Sequence, residues 1–190
     1  MCDFPRSRVV RLLLCASISL LCSAPGGAAE TGPAASEDDI AVFFSPRGGA
    51  ADAVIALIND AKRSVRVESF MFTNHAVRDA LIAAHRRGVE VEVVLDHHNS
   101  RIKGSARRAL RRAGITVYVT PAEIRMHSKV LIIDDDVIVT GSFNLTWAAD
   151  RSNVEDVLIL RGRRKITRAY LERHRKLRAI SKKYATKRRR

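Results

Sequence analysis

From Ile40 the hydrophobic and polar positions fall into regular patterns that continue almost to the end of the chain. A run from Ala41 to Phe44 reads as a strand. Val54, Leu57, Ile58 and Ala61 then recur at helical spacing and predict a helix over about 50–62. The alternation repeats with a strand over 64–70, a helix over about 75–87 stopped by Gly88, a strand over 89–95, a basic helix over 100–112 ended by Gly114, and a strand over 115–119. Strands and helices joined by short links predict parallel strands covered by helices. After Pro121 the alternation stops and three strand-like runs follow, 128–134, 137–141 and 154–160, with no helix between the first two. A basic helix closes the chain, with Ile166, Tyr170, Leu177, Ile180 and Tyr184 as the stripe expected to pack on the body. The fold class expected is α/β, a mixed, largely parallel sheet flanked by helices, and no repeat of solenoid length is present.

The first thirty residues obey a different rule. Arg6, Arg8 and Arg11 precede an apolar stretch from Leu12 to Cys22, and small residues follow as far as Ala29. That order is the signature of a secretory signal peptide. The apolar stretch of eleven residues is shorter than the roughly 20 that a helix needs to cross a bilayer. An uncleaved anchor is the alternative, and bulky Leu21 before Cys22 argues against a lipoprotein signal. Cleavage near Ala29 predicts a secreted or periplasmic protein divided into a signal peptide (1–29), an acidic, disordered lead-in (30–39), a catalytic body (40–162) and a basic C-terminal helix and tail (163–190). Cys2, Cys15 and Cys22 all lie in the signal, so the mature chain has no thiol for a disulfide, a metal site or a nucleophile.

The formal net charge of +14 is unevenly placed. Residues 161–190 hold fifteen Lys or Arg against the single acid Glu172, whereas residues 1–160 balance at nineteen of each sign. Such a tail can follow a phosphate backbone or lie on anionic lipid, with a solvated terminus as the bland alternative.

Chemistry concentrates in two neighbouring runs, His127-Ser128-Lys129 through Asp134 and Gly141-Ser142-Phe143-Asn144. With Asp135 and Asp136 as a hairpin loop of two residues, Asp134 faces Val137, Lys129 faces Ser142, and His127 faces Asn144. His127 and Lys129, two apart, share a side of the sheet at about 7 Å. An imidazole, a cation, a hydroxyl and an amide on one patch suit a phosphate: Lys129 neutralises charge, and Ser142 and Asn144 donate hydrogen bonds. The plain alternative is the wet face of a surface hairpin. Asp134 has the opposite parity to His127 and is expected to take a structural or supporting role in the site. The three aspartates 134–136 also suggest a metal, although adjacent carboxylates in a turn are commonly solvated turn formers.

The pattern His-x-Lys-x4-Asp-x6-Gly-Ser-x-Asn, met by His127, Lys129, Asp134, Gly141, Ser142 and Asn144, resembles the signature of the phospholipase D superfamily. The likeness runs from about Phe43 to Val157 and is nearest to the short bacterial Nuc-type endonucleases. The resemblance implies a phospholipase D-like fold carrying half an active site per chain, metal independence, no cofactor and a phosphohistidine intermediate. It also implies that Glu155 stands beside the catalytic histidine.

Only one complete motif is present. His174-Arg175-Lys176 has Ser181 in place of the aspartate and reads as chance within a basic helix, and His75, His85, His97 and His98 read as helix-surface or loop residues. The second histidine required by the family's scheme is then His127 of another copy, so a homodimer is expected. A nuclease acting on DNA or RNA is the leading reading. A phospholipase D acting on phosphatidylcholine or cardiolipin at an anionic membrane is the rival, and a binding module without catalysis is the third. Phe70, Phe72, Phe143 and Trp147 are candidates to touch bases or acyl chains, with core packing expected for most of them.

Overall fold

The computed structural model describes residues 40–184, so the expected signal peptide and lead-in (1–39) and the last six residues lie outside the described part. One sheet of eight strands carries the fold: β1 (Ile40–Ser45), β2 (Ser64–Ser69), β3 (Glu90–Leu95), β4 (Thr116–Val119), β5 (Lys129–Ile133), β6 (Val137–Gly141), β7 (Glu155–Leu160) and β8 (Lys182–Tyr184). Five helices accompany it: α1 (Ala50–Asp60), α2 (His75–Arg86), α3 (Arg107–Arg112), α4 (Trp147–Arg151) and α5 (Arg164–Ile180). None of the described helices is long and apolar enough to cross a membrane.

The spatial order is β1-β7-β6-β5-β2-β3-β4-β8. Strands β1 to β4 run the same way, as alternating strands and helices require, but the antiparallel β5-β6-β7 meander is inserted between β1 and β2. The sheet is therefore mixed, and only β2-β3 and β3-β4 are parallel neighbours. The insertion brings the ends of β1, β2, β3, β4 and β6 to one edge of the sheet, together with the beginnings of β5 and β7.

Strand periodicity divides the side chains between two faces. Val65, Val67, Val91, Val93, Leu131, Ile133, Val139, Val157 and Ile159 join Val54 and Ile58 of α1 and Val77 and Leu81 of α2 in the main core. Asn74 caps α2 by accepting hydrogen bonds from the amides of Ala76 and Val77. The basic helix expected over 100–112 is broken: a single 3-10 turn at Asn99–Arg101 is separated from α3 by a loop in which Gly104 has a φ of 82°.

The other face is covered by α5, and its contacts differ from the apolar stripe expected. Ile166 and Ile180 are exposed, whereas Thr167 and His174 are buried, with Tyr170, Leu171 and Leu177 half-buried beside them. His174 fits between two strand carboxylates, its Nδ1 3.3 Å from Glu68 and its Nε2 3.8 Å from Glu92. Arg173 and Arg178 close the cluster at 2.7 Å from Glu68 and 2.8 Å from Glu92. His174 thus has a structural place in the body, because Glu68 and Glu92 need cations once α5 excludes water. Burial opposes charge on His174, but its contacts with Glu68 and Glu92 outweigh that and raise its pKa. The His174 contact, working against desolvation and helped by Arg178, lowers that of Glu92.

The β5-β6 hairpin also departs from expectation. Ile133 pairs with Val137, so three residues form the loop, with Asp134 and Asp135 at φ 54° and 59°. Asp134 is the cause. Its carboxylate accepts hydrogen bonds from the amides of Lys62, Arg63 and Ser64 at 2.7–2.9 Å, holding the α1–β2 link against the hairpin. Desolvation would raise the Asp134 pKa, and these three bonds bring it below the usual value. Asp135 pairs with Arg66 at 2.5 Å.

Two outcomes follow. Asp134→Ala loses three charge-assisted hydrogen bonds and is expected to cost about 2–3 kcal/mol in urea unfolding. The folded variant is expected to turn over substrate within about threefold of wild type, a split that a residue of the reacting centre would not give. For His174, whose folded pKa lies above its unfolded value, the stabilising contribution is complete below about pH 6.5 and disappears as pH rises through the folded value. The contribution of Glu92 has the opposite sense, present above about pH 4.3 and lost as pH falls through its lowered pKa. The urea midpoint of wild type is expected to decline on the alkaline side more than that of His174→Leu, itself less stable by roughly 3 kcal/mol. Parallel pH profiles of the two proteins would contradict this.

Candidate active site

The sheet edge at which β1 to β4 and β6 end collects most of the residues singled out by the sequence. Lys129 opens β5 opposite Ser69, Gly141 closes β6, and Glu155 opens β7 opposite Ser45. His127 precedes β5, and Ser142 and Asn144 follow β6. Asp134 lies at the other end of β5, five residues or about 17 Å away, in the structural position described above.

The observed register shifts each expected cross-strand partner by one. The ladder ends at Val130 and Thr140, and one further step sets Lys129 beside Gly141 instead of Ser142. Beyond Gly141 the chain leaves the regular strand. Its φ is 151°, and a Cβ placed on it would lie 2.2 Å from the carbonyl oxygen of Asp156, so only glycine fits. Past this crossing the Ser142 Oγ accepts the Asp156 amide at 3.1 Å, and its own proton remains free to donate outward. Phe143 turns into the main core, and Asn144 is half-buried with its Oδ1 shielded from solvent and unpartnered among the described residues.

His127 is exposed, and its ring meets Phe70 edge-on with centroids 4.4 Å apart. The Lys129 ammonium is half-buried, 3.4 Å from both ring nitrogens of His127, and donates to the His127 carbonyl at 2.9 Å. It also lies 5.1 Å from the centroid of Phe70. Desolvation lowers the Lys129 pKa, and the charge of Glu155 acts in the opposite direction. Glu155 accepts a hydrogen bond from Asn153 at 3.0 Å. A solvent-facing imidazole, a neighbouring ammonium and an outward hydroxyl can receive an anionic phosphorus centre.

Three supporting residues escaped the sequence reading. Ser128, of opposite parity to Lys129, projects to the α5 face, where Arg173 donates to its Oγ at 2.7 Å while also holding Glu68. The Ser128 carbonyl accepts the amide of Phe70 at 3.0 Å, so the α5 cluster reaches both neighbours of His127. Buried Asp96 fixes the approach to His127 from the other side. One of its carboxylate oxygens accepts the Asn99 amide at 3.0 Å and the other the Met126 amide at 3.2 Å. The legible signal was the run Val-Glu-Val at 91–93 beside Glu68, since carboxylates on covered strands call for cations from the covering helix.

The remaining candidates fall elsewhere. His75 opens α2, His85 is half-buried near Gly114, and His97 and His98 stack edge-on at 5.1 Å in the loop after β3. Phe72 and Phe143 are core residues, while Trp147 is exposed. Among the described residues no three His, Cys, Asp or Glu side chains cluster as a metal site.

Comparison with known proteins places the chain in a family. A family model described as "Cardiolipin synthase, PLD-like domain" matches residues 54–178. A phospholipase D of Rickettsia prowazekii is 33% identical over 137 residues, a match covering 72% of this chain and 66% of that protein. A mitochondrial cardiolipin hydrolase of Danio rerio is 38% identical over 100 residues, covering 52% of this chain and 44% of that one. The chain thus spans about two thirds of the one relative and under half of the other. The crystal structure of Nuc from Salmonella typhimurium, a phospholipase D family member, superposes with a TM-score of 0.75 at 31% identity, covering 77% of this chain and 98% of that chain. With the family model matching well over half of its residues, and with its His-Lys pair and Gly-Ser-x-Asn turn gathered on one sheet edge, this chain belongs to the phospholipase D superfamily.

Proposed function

We propose that this chain is a metal-independent phosphodiesterase that works as an exported homodimer, most effectively as an endonuclease on DNA or RNA. The observation that carries the reading is the convergence of His127, Lys129, Ser142 and Glu155 on one edge, with one such histidine per chain. A phosphodiester repels anions and has a poor alkoxide leaving group, so its cleavage needs a neutral attacker and a proton donor together.

His127 supplies the attacker. Its ring nitrogen bonds to phosphorus as the bond to the leaving oxygen breaks, and that oxygen takes a proton from His127 of the partner subunit. The partner imidazole, now neutral, removes a proton from water, and the resulting hydroxide displaces the phosphoryl group from His127. Each histidine ends as it began. Lys129 and the Ser142 hydroxyl stabilise the charge that develops on the phosphoryl oxygens, and Glu155 offsets the positive charge gathered there. No metal is required, because the ammonium and the protonated imidazole provide the neutralisation.

A lipid substrate is the second reading, favoured by a specific feature of the same edge. Phe44, Trp147 and Val154 are 51%, 64% and 90% exposed around the start of β7, a placement suited to an acyl chain or a membrane surface. Names of relatives point the same way, as phospholipase D and cardiolipin hydrolase.

His127→Ala is expected to lower kcat by at least about a thousandfold while leaving substrate binding in place. A variant that neither binds nor folds differently yet keeps its turnover would exclude His127 as the nucleophile. The substrate is decided by assaying purified protein in EDTA, in parallel, on single-stranded DNA, duplex DNA, RNA and mixed phospholipid vesicles. Cleavage of a nucleic acid with intact vesicles is expected; release of head groups alone would select the lipid reading, and loss of all activity in EDTA, restored by a divalent ion, would overturn metal independence.

A further inference from the structure

Away from the catalytic strands, the same edge carries a second concave surface. The segment from Ser100 through the start of α3 forms a groove of about 670 Å³ against Tyr184 of β8. Arg101, Lys103, Arg107 and Arg108 line it, no acidic side chain does, and Ile102 is its one aliphatic residue. The Tyr184 ring has the guanidinium groups of Arg107 and Arg111 and the Lys182 ammonium 5.4–5.5 Å from its centroid. Four cations lining one concavity with no carboxylate among them favour an anion there.

We infer that this groove takes the sugar–phosphate backbone of a single-stranded nucleic acid whose scissile phosphate lies at His127. The inference rests on the nuclease reading above and extends it to where the strand runs. Asp96 ties the two places together, because its carboxylate holds both Asn99, the residue before Ser100 of the groove, and Met126, next to His127. In the sheet order β4 and β8 stand three and four strands from β5. At about 4.8 Å per strand the separation is roughly 14–19 Å. A stacked strand advances roughly 3.4 Å per nucleotide, so about four to six nucleotides bridge the distance.

A strand fits the groove better than a membrane does. The surface is concave and nearly without aliphatic groups, and the exposed apolar residues Phe44, Trp147 and Val154 belong to the β1-β7 side of the sheet. Tyr184 offers a ring face of the kind on which bases stack, beside cations that neutralise phosphates.

The test compares wild type with Arg101→Ala/Arg108→Ala, both positions solvent-exposed and outside the catalytic centre. Three measurements are made on the full chain in EDTA: binding of a labelled 20-nucleotide DNA strand as a function of salt, turnover of bis(p-nitrophenyl) phosphate, and binding of vesicles containing anionic lipid. The variant is expected to bind the strand roughly tenfold more weakly, with the log–log salt slope reduced by about 1.4 for two lost phosphate contacts. Its turnover of the small diester is expected to match wild type. In wild type, KM is expected to rise for strands with fewer than about four nucleotides on one side of the cut. Equal strand binding by the two proteins would overturn the groove assignment alone, and a loss confined to vesicles would make the groove a lipid surface. A wild type that hydrolyses the small diester but neither binds nor cuts the strand would overturn the nuclease reading and the groove with it.

Discussion

The register of β5 is the constraint from which the remaining geometry follows. Adjacent residues of a strand point to opposite faces, so a slip by one residue would exchange the positions of Ser128 and Lys129. Asp134 prevents the slip at one end, its carboxylate holding three consecutive amides of the α1–β2 link. Arg173 does so at the other, bonding at once to Ser128 and to buried Glu68 on β2. With both ends fixed, Lys129 is delivered beside His127 and Phe70, and Gly141 is brought close enough to Asp156 for the Ser142 turn to form. The aspartate of the family motif is thus a structural residue, tying the hairpin to the α1–β2 link at the end of β5 away from His127.

The C-terminal helix is an integral layer of the same body. Its cationic character has two parts. Arg173, His174 and Arg178 face inward and neutralise carboxylates on β2 and β3, whereas residues such as Arg164, Lys165 and Arg175 face water. Removing a cation from the first group leaves a buried carboxylate uncompensated, which costs far more than losing a surface charge. The net charge of the segment therefore overstates how much of it is available to a partner. The groove beside Tyr184 draws on cations of the loop after β3 and the start of α3, which the charge count along the sequence did not mark.

Much of this was legible in the sequence, and the misreadings have definite causes. Local periodicity located β1 to β7 and three of the helices within a few residues, because burial on one face writes itself into spacing. It could not order the strands. That the β5-β6-β7 meander enters between β1 and β2 depends on long-range pairing, which no local pattern records. The His127, Lys129, Ser142 and Asn144 set was singled out by spacing and by resemblance, yet the hairpin loop was assigned one residue too short. The error arose because the demand of the α1–β2 amides for Asp134 is a contact between segments some seventy residues apart. His174 was passed over as part of a charged helix for the same reason, its partners being carboxylates distant in sequence. Helix α4 and strand β8 are each of five residues or fewer, too short to show a period.

A shared active site, with one His127 from each of two chains acting on one phosphate, is most directly tested by subunit mixing. Wild type and His127→Ala are unfolded together, refolded at varied ratios and assayed at constant total protein. If both histidines must meet, only pairs of wild-type chains are active, and turnover falls as the square of the wild-type fraction, to about one quarter in an equal mixture. A linear fall, to about one half, would mean that each chain carries a complete site and would contradict the dimeric mechanism.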